Sequence, residues 1–105
     1  MGTSRRAEAL ALLGLARRAG AVVKGTDATR KALRAGEVRL VIVAQDAAEG
    51  QRRKVLPLAE ARGVSWTVAG TKEELGSAVG AGPLTAVGVN DTGLAEALQE
   101  RLGRD

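Results

Sequence analysis

The chain has 105 residues, 45% hydrophobic and 27% charged, the length and composition of one globular domain rather than a disordered segment. It contains no Cys and no His, which excludes disulfides, thiolate chemistry, Cys/His zinc sites and histidine acid–base catalysis. Its one aromatic residue, Trp66, disfavours folds that stack nucleobases on several surface aromatics, and its net charge is +4.

The charge is unevenly placed. Residues 1–39 carry nine bases against three acids, a net of +6, whereas the remainder carries seven bases and nine acids, a net of −2. A basic first third on a nearly neutral body suits a polyanionic partner. The plainer alternative is a solvated helical surface that uses arginine. No stretch approaches the ~20 apolar residues of a membrane span. There is no signal-peptide pattern, and Arg6 stands where a myristoylation signal has Ser or Thr. A cytoplasmic protein is expected.

In chain order, Ser4 is placed to cap a helix running to about Arg18. Leu10, Leu13 and Ala16, and beside them Leu12, Leu15 and Ala19, recur at helical spacing. Gly20 ends that helix, and residues 21–24 form a short extended stretch. Gly25-Thr26 leads into a second helix over about 27–35, closed by Gly36. Residues 38–44, almost all apolar, form the clearest strand, as expected for one covered on both faces. Asp46 is placed to cap a helix over roughly 47–62 that contains Pro57, which bends or restarts it. Residues 64–69 form a strand in which Trp66 alternates with Val64 and Val68, a pattern of core burial; stacking on a nucleobase is the competing reading. Thr71 and Glu74 make a capping box for a short helix to about Val79. A loop at 80–83, a last strand at 84–89 and a last helix over 92–102 follow, and 103–105 is expected to be a frayed tail. Alternating helices and strands argue for a single α/β domain over 1–105 with a largely parallel sheet between helical layers.

Three clusters bear on function. In the first, Lys24, Gly25, Thr26, Asp27, Ala28, Arg30 and Lys31 bracket a helix start, where unpaired N–H groups and the positive end of the helix dipole can seat a phosphate. Arg34 extends the basic stripe. The plainer reading is an ordinary turn, capped by Thr26 or Asp27, with an Asp27–Lys31 surface pair. In the second, Arg52-Arg53-Lys54 could touch phosphates or simply form the wet face of a helix. In the third, the small loop 80–84 could pack under an extruded base or merely connect a helix to a strand. No carboxylate pair, activated serine or complete phosphate-binding loop stands out, so no catalytic set, metal site or cofactor is expected.

In order, Leu12-Leu13-Gly14-Leu15-Ala16-Arg17-Arg18-Ala19-Gly20, the run Gly25 to Leu33 with Gly36, the strand ending Ala44-Gln45-Asp46, Leu56-Pro57-Leu58, and Thr71 to Gly80 resemble the kink-turn RNA-binding family of small ribosomal proteins, the L-seven-Ae and L-thirty-e type. Within that family the chain resembles the bacterial YlxQ-like branch. The resemblance covers nearly the whole chain. It implies a three-layer α/β/α sandwich with a four-stranded mixed sheet, and non-enzymatic binding of structured RNA. The family signature Gly-x-Asn-Glu-x-x-Lys falls on the second helix start, where Gly25 and Lys31 match it. Asp27 replaces the Asn, and Ala28 the Glu. An ionised Asp only accepts hydrogen bonds, where Asn both donates and accepts, and Ala28 offers none. By the same resemblance Lys72 contacts the RNA backbone, Ala81 and Gly82 pack on a protruding nucleotide, and Arg52 lies near a third contact region.

The leading expectation is therefore a monomeric cytoplasmic binder of kink-turn-like or ribosome-associated RNA, with ribosomal or ribosome-assembly proteins as further partners. The second is a protein-interaction adaptor that kept the fold and lost the RNA code, which Asp27 and Ala28 favour. The third is a detached RNA-recruiting domain of an enzyme.

Overall fold

The computed structural model describes residues 4–102; the expected frayed tail at 103–105 lies outside the described residues. Nine elements alternate: α1 (Arg5–Arg18), β1 (Val22–Lys24), α2 (Thr26–Arg34), β2 (Leu40–Val43), α3 (Glu49–Ala61), β3 (Ser65–Val68), α4 (Lys72–Ala78), β4 (Ala86–Val89) and α5 (Thr92–Leu102).

The strands form one four-stranded sheet in the order β1-β4-β2-β3. β2 and β3 pair in parallel, Val41 beside Trp66. β4 is antiparallel to both of its neighbours, with Val22 opposite Val89 on one side and Leu40 opposite Val89 on the other. Three of the four strands thus share a direction, yet only one of the three pairings is parallel, which corrects the expectation of a largely parallel sheet. Alternation of elements fixes neither strand order nor direction. The short α4 and the loop after it return the chain to the end of the sheet at which β3 finished, so β4 runs in the opposite direction.

Alternation along the strands feeds two cores. On one face Leu40, Ile42, Val87 and Val89 pack with Leu13 of α1, Leu75 of α4 and Leu98 of α5. On the other, Val41, Val43 and Ala86 pack with Leu33 of α2 and Val55 and Ala59 of α3. This is the three-layer α/β/α sandwich. The central strands β2 and β4 are buried along their whole length, as their unbroken apolar runs require.

The first helix buries Ala9, Leu13 and Ala16; of its second stripe Leu12 is half-buried against the same core, whereas Leu15 is 54% exposed and Ala19 is exposed. Trp66 is half-buried on the edge strand β3, packed at the margin of the α2–α3 core, so its burial is partial. α3 runs unbroken through Pro57.

The tightest contact lies where loop 79–85 folds back along α4. The Ala81 N–H donates to the Gly76 carbonyl at 2.8 Å and the Leu84 N–H to the Lys72 carbonyl at 3.0 Å. A Cβ at Gly76 would clash with the carbonyl oxygen of Gly82 and lie 2.6 Å from its carbon. Gly76→Ala is therefore expected to destabilise the domain by about 1–3 kcal/mol, the usual cost of forcing atoms into a packed site. Gly50→Ala, in a helix with open space around the new methyl, is expected to be neutral or stabilising by up to ~1 kcal/mol. Urea unfolding of the two variants beside the parent checks the pair.

Candidate nucleic-acid interface

Because β4 is reversed, its start lies at the same end of the sheet as the ends of β1, β2 and β3. Four connections gather there: Gly25, the segment 44–48, the segment 69–71, and loop 79–85. Main-chain bonds join them. Gly25 N–H donates to Ala86 O at 2.9 Å, Ala44 N–H to Thr85 O at 2.8 Å, Gln45 N–H to Gly70 O at 2.7 Å and Ala69 N–H to Val43 O at 3.0 Å.

Of the three helices that start at this end, α2 and α3 have no side-chain cap bond, whereas α4 has one. At α4 three N–H groups are taken up by side chains: Thr71 Oγ1 accepts from Glu74 N–H at 3.1 Å, Glu74 Oε1 accepts from Thr71 N–H at 2.9 Å, and Asp46 Oδ1 accepts from Lys72 N–H at 2.9 Å. The expected capping box is present. Asp46 does not cap the helix after it, as the sequence suggested. That helix starts later, at Glu49 with Ala48 as its cap residue, and the carboxylate reaches across to α4 instead. The extra residues between Asp46 and the first helical turn carry its side chain out of capping range.

α2 is the opposite case. Its cap residue is Gly25, at φ 93°, ψ 165°, with no side-chain cap bond. Neither Thr26 nor Asp27 caps it, and no Asp27–Lys31 ion pair forms among the described residues. The ordinary capped turn considered for this segment is thus not what the chain builds. The first intrahelical bond is Thr29 N–H to Gly25 O at 3.0 Å, so the N–H groups of Thr26, Asp27 and Ala28 have no partner among the described residues. They point out of the sheet end and carry the positive end of the helix dipole. Leu84 closes over Gly25, 3.8 Å from where its Cβ would stand.

This arrangement brings together Lys24, Gly25, Thr26, Asp27, Ala28, Arg52 and Lys72, with Ala81 and Gly82 on the loop that runs back along α4. Lys24, Asp27 and Ala28 are exposed, and Lys72 is partly exposed. Lys31 is exposed one turn further along α2, on the same flank as Ala28; both line a shallow depression with Val23 and Ala32. Arg30 is half-buried, and its Nε is buried with no partner among the described residues. Arg34 is exposed in the last turn, about 12 Å from the helix start, and so stands apart from the gathered end.

The basic run on α3 divides. Arg53 is a solvated partner of Glu49 at 3.5 Å, and Lys54 is exposed, as a wet helix face would have them. Arg52 is half-buried and donates Nη2 to the Gln45 carbonyl at 2.9 Å, which turns it toward the sheet end. Two exposed residues there, Gln45 and Asp46, were not among the RNA-contacting residues expected from the sequence, although both lie in the strand end that carries the family resemblance.

No helix among the described residues is long and apolar enough to cross a membrane. Residues 7–99 match the ribosomal protein L7Ae/L30e/S12e/Gadd45 family. The chain is 39% identical to the large ribosomal subunit protein eL8 of Haloquadratum walsbyi over 74 residues, 70% of this chain and 62% of that protein. It is 40% identical to eL8 of Halobacterium salinarum over 73 residues, 69% of this chain and 61% of that protein. The match thus spans about three-fifths of the length of these curated relatives. Among solved structures, a protein of unknown function from Bacillus halodurans C superposes with a TM-score of 0.87 at 33% identity, over 91% of this chain and 97% of that one. The Giardia lamblia 15.5kD RNA binding protein superposes with a TM-score of 0.77 at 26% identity, over 98% and 89% respectively.

Gly25 holds a backbone conformation that side chains rarely adopt. Gly25→Ala is expected to cost about 1–3 kcal/mol of stability from that strain alone. Thermal and urea unfolding followed by circular dichroism checks it, and stability within ~0.5 kcal/mol of the parent would contradict the conformation described for this turn.

Proposed function

The chain belongs to the ribosomal protein L7Ae/L30e/S12e/Gadd45 family, and from that membership we propose that it is a non-enzymatic binder of structured RNA. The RNA is of the kink-turn or ribosome-associated kind, and the start of α2 is what meets it. The observation that carries this reading is the uncapped α2 start, with the Thr26, Asp27 and Ala28 N–H groups unpartnered beside Lys24, Lys72 and loop 79–85. A helix start of this kind receives phosphate or an electron-rich base edge. Relatives in the large ribosomal subunit and an RNA-binding structural neighbour support the same reading. It is a monomeric, cytoplasmic protein of the YlxQ-like branch in this account.

The roles follow from chemistry and position. Lys31 contacts a guanine or nearby phosphate on the flank it shares with Ala28. Lys24, Arg30, Arg52 and Lys72 supply phosphate attraction, and Arg34 adds only long-range charge. Ala81 and Gly82 present a side-chain-poor surface on which a protruding nucleotide packs. Asp27 is the unfavourable member, since its carboxylate repels phosphate and guanine O6 and donates nothing.

The alternative is a protein adaptor that kept the fold and lost base-specific recognition. Asp27 and Ala28, both exposed at the helix start, are the residues that favour it.

Labelled kink-turn RNA is titrated beside an RNA whose tandem G·A pairs are replaced by Watson–Crick pairs, at fixed salt and Mg²⁺. The RNA reading predicts preference for the intact kink-turn, weakened by ~1–3 kcal/mol in Lys31→Ala. With about four phosphates neutralised, log affinity falls with log salt at a slope of roughly −3 to −4. Asp27→Asn is expected to tighten binding to the intact kink-turn selectively, by ~1–3 kcal/mol if it restores a bidentate base contact. Equal, weak, salt-sensitive binding to both RNAs, unchanged in Asp27→Asn, supports the adaptor instead.

A further inference from the structure

One acidic side chain stands among the gathered basic residues and yet is built into the frame. Asp46 is exposed directly after β2, and its Oδ1 accepts from the Lys72 N–H at 2.9 Å, 26 residues away in sequence. The Lys72 carbonyl in turn accepts from the Leu84 N–H at 3.0 Å. Leu84 closes over Gly25 at the start of α2, and Gly25 N–H is held by Ala86 O at 2.9 Å. The hydrogen bonds therefore lead from Asp46 through Lys72 to Leu84, and two residues further along the chain from Ala86 to Gly25. They connect α4, loop 79–85 and α2, the three elements placed to meet the RNA. The capping box of Thr71 and Glu74 serves only the helix it begins, whereas the Asp46 bond ties that helix to the strand end beside α2.

We propose that Asp46 is a positioning residue for RNA binding: its carboxylate oxygen, acting as an acceptor and not as a charge, holds Lys72 and loop 79–85 in register with the start of α2. This rests on the RNA reading above. It also makes a prediction opposite in sign to simple electrostatics. A negative charge at a face that meets a polyanion weakens binding, so removing it should strengthen binding. If Asp46 works as a positioning residue, removing the acceptor weakens binding instead.

The test compares the full chain with Asp46→Ala and Asp46→Asn, first confirming by thermal unfolding that each is folded. Asn keeps an oxygen acceptor and drops the charge. Binding to intact kink-turn RNA is expected to weaken about 2- to 12-fold in Asp46→Ala, the range spanned by one hydrogen bond. Asp46→Asn is expected to bind at least as tightly as the parent. Hydrogen exchange without RNA gives a second readout: the Lys72 and Leu84 amides exchange faster in Asp46→Ala and unchanged in Asp46→Asn. An Asp46→Ala variant that binds as tightly as the parent or tighter overturns the proposal. So does an Asp46→Asn variant as weak as Asp46→Ala, which would assign the effect to charge. A parent protein that does not bind the RNA overturns the RNA reading itself, and the exchange comparison then decides separately whether Asp46 holds the two amides.

Discussion

Strand β4 is hydrogen-bonded along both edges, antiparallel to β1 on one side and to β2 on the other, and the remaining geometry follows from that placement. Reversed between two strands that run the other way, it opens beside their ends. Loop 79–85, which feeds it, is thereby forced against the start of α2 and the flank of α4. One glycine makes the arrangement fit: Gly76 leaves room for the Gly82 carbonyl against α4.

Electrostatics at that end is set by which helix starts are already occupied. Three acceptors, from Thr71, Glu74 and Asp46, take up the N–H groups of Thr71, Lys72 and Glu74 at the start of α4. α2 spends none on a side chain, because glycine has no cap to offer. An N-cap Ser, Thr, Asp or Asn stabilises a helix by ~0.5–2 kcal/mol relative to Ala, although glycine forgoes only a few tenths relative to those caps. The chain thus gives up little stability to leave three N–H groups open beside Lys24 and Lys72. A binding surface can be had at small cost in this way, provided that the turn is held rigid, which the Ala86 bond to Gly25 and the overlying Leu84 accomplish.

Much of this was legible in the residues. The apolar runs of β2 and β4, the Ser4 and Thr71 caps and the glycine-bounded helices all appear where their local chemistry places them. Strand direction was not legible from periodicity, because period-2 and period-3.6 patterns carry no information on it; the family resemblance implied a mixed four-stranded sheet, and the strand order came only with the structure. Asp46 was misread because an Asp before a helix looks the same whether it caps that helix or another one packed beside it. Leu15 and Trp66 were expected to be more buried than they are, since a one-dimensional pattern does not reveal which stripe lies at a layer's margin. The basic run at 52–54 could not be divided from sequence. Only the turn of Arg52 back onto the Gln45 carbonyl separates it from its two solvated neighbours.

The central claim is that RNA meets one end of the sheet. Backbone amide shifts of the isotope-labelled chain, recorded while kink-turn RNA is added, test it most directly. The account predicts that the largest shifts fall on residues 24–31, on Gln45 and Asp46, on Lys72 and on 81–84, with α5 and the exposed Leu15 face of α1 little changed. Shifts concentrated on α1 and α5, or spread evenly over every basic side chain, would contradict it.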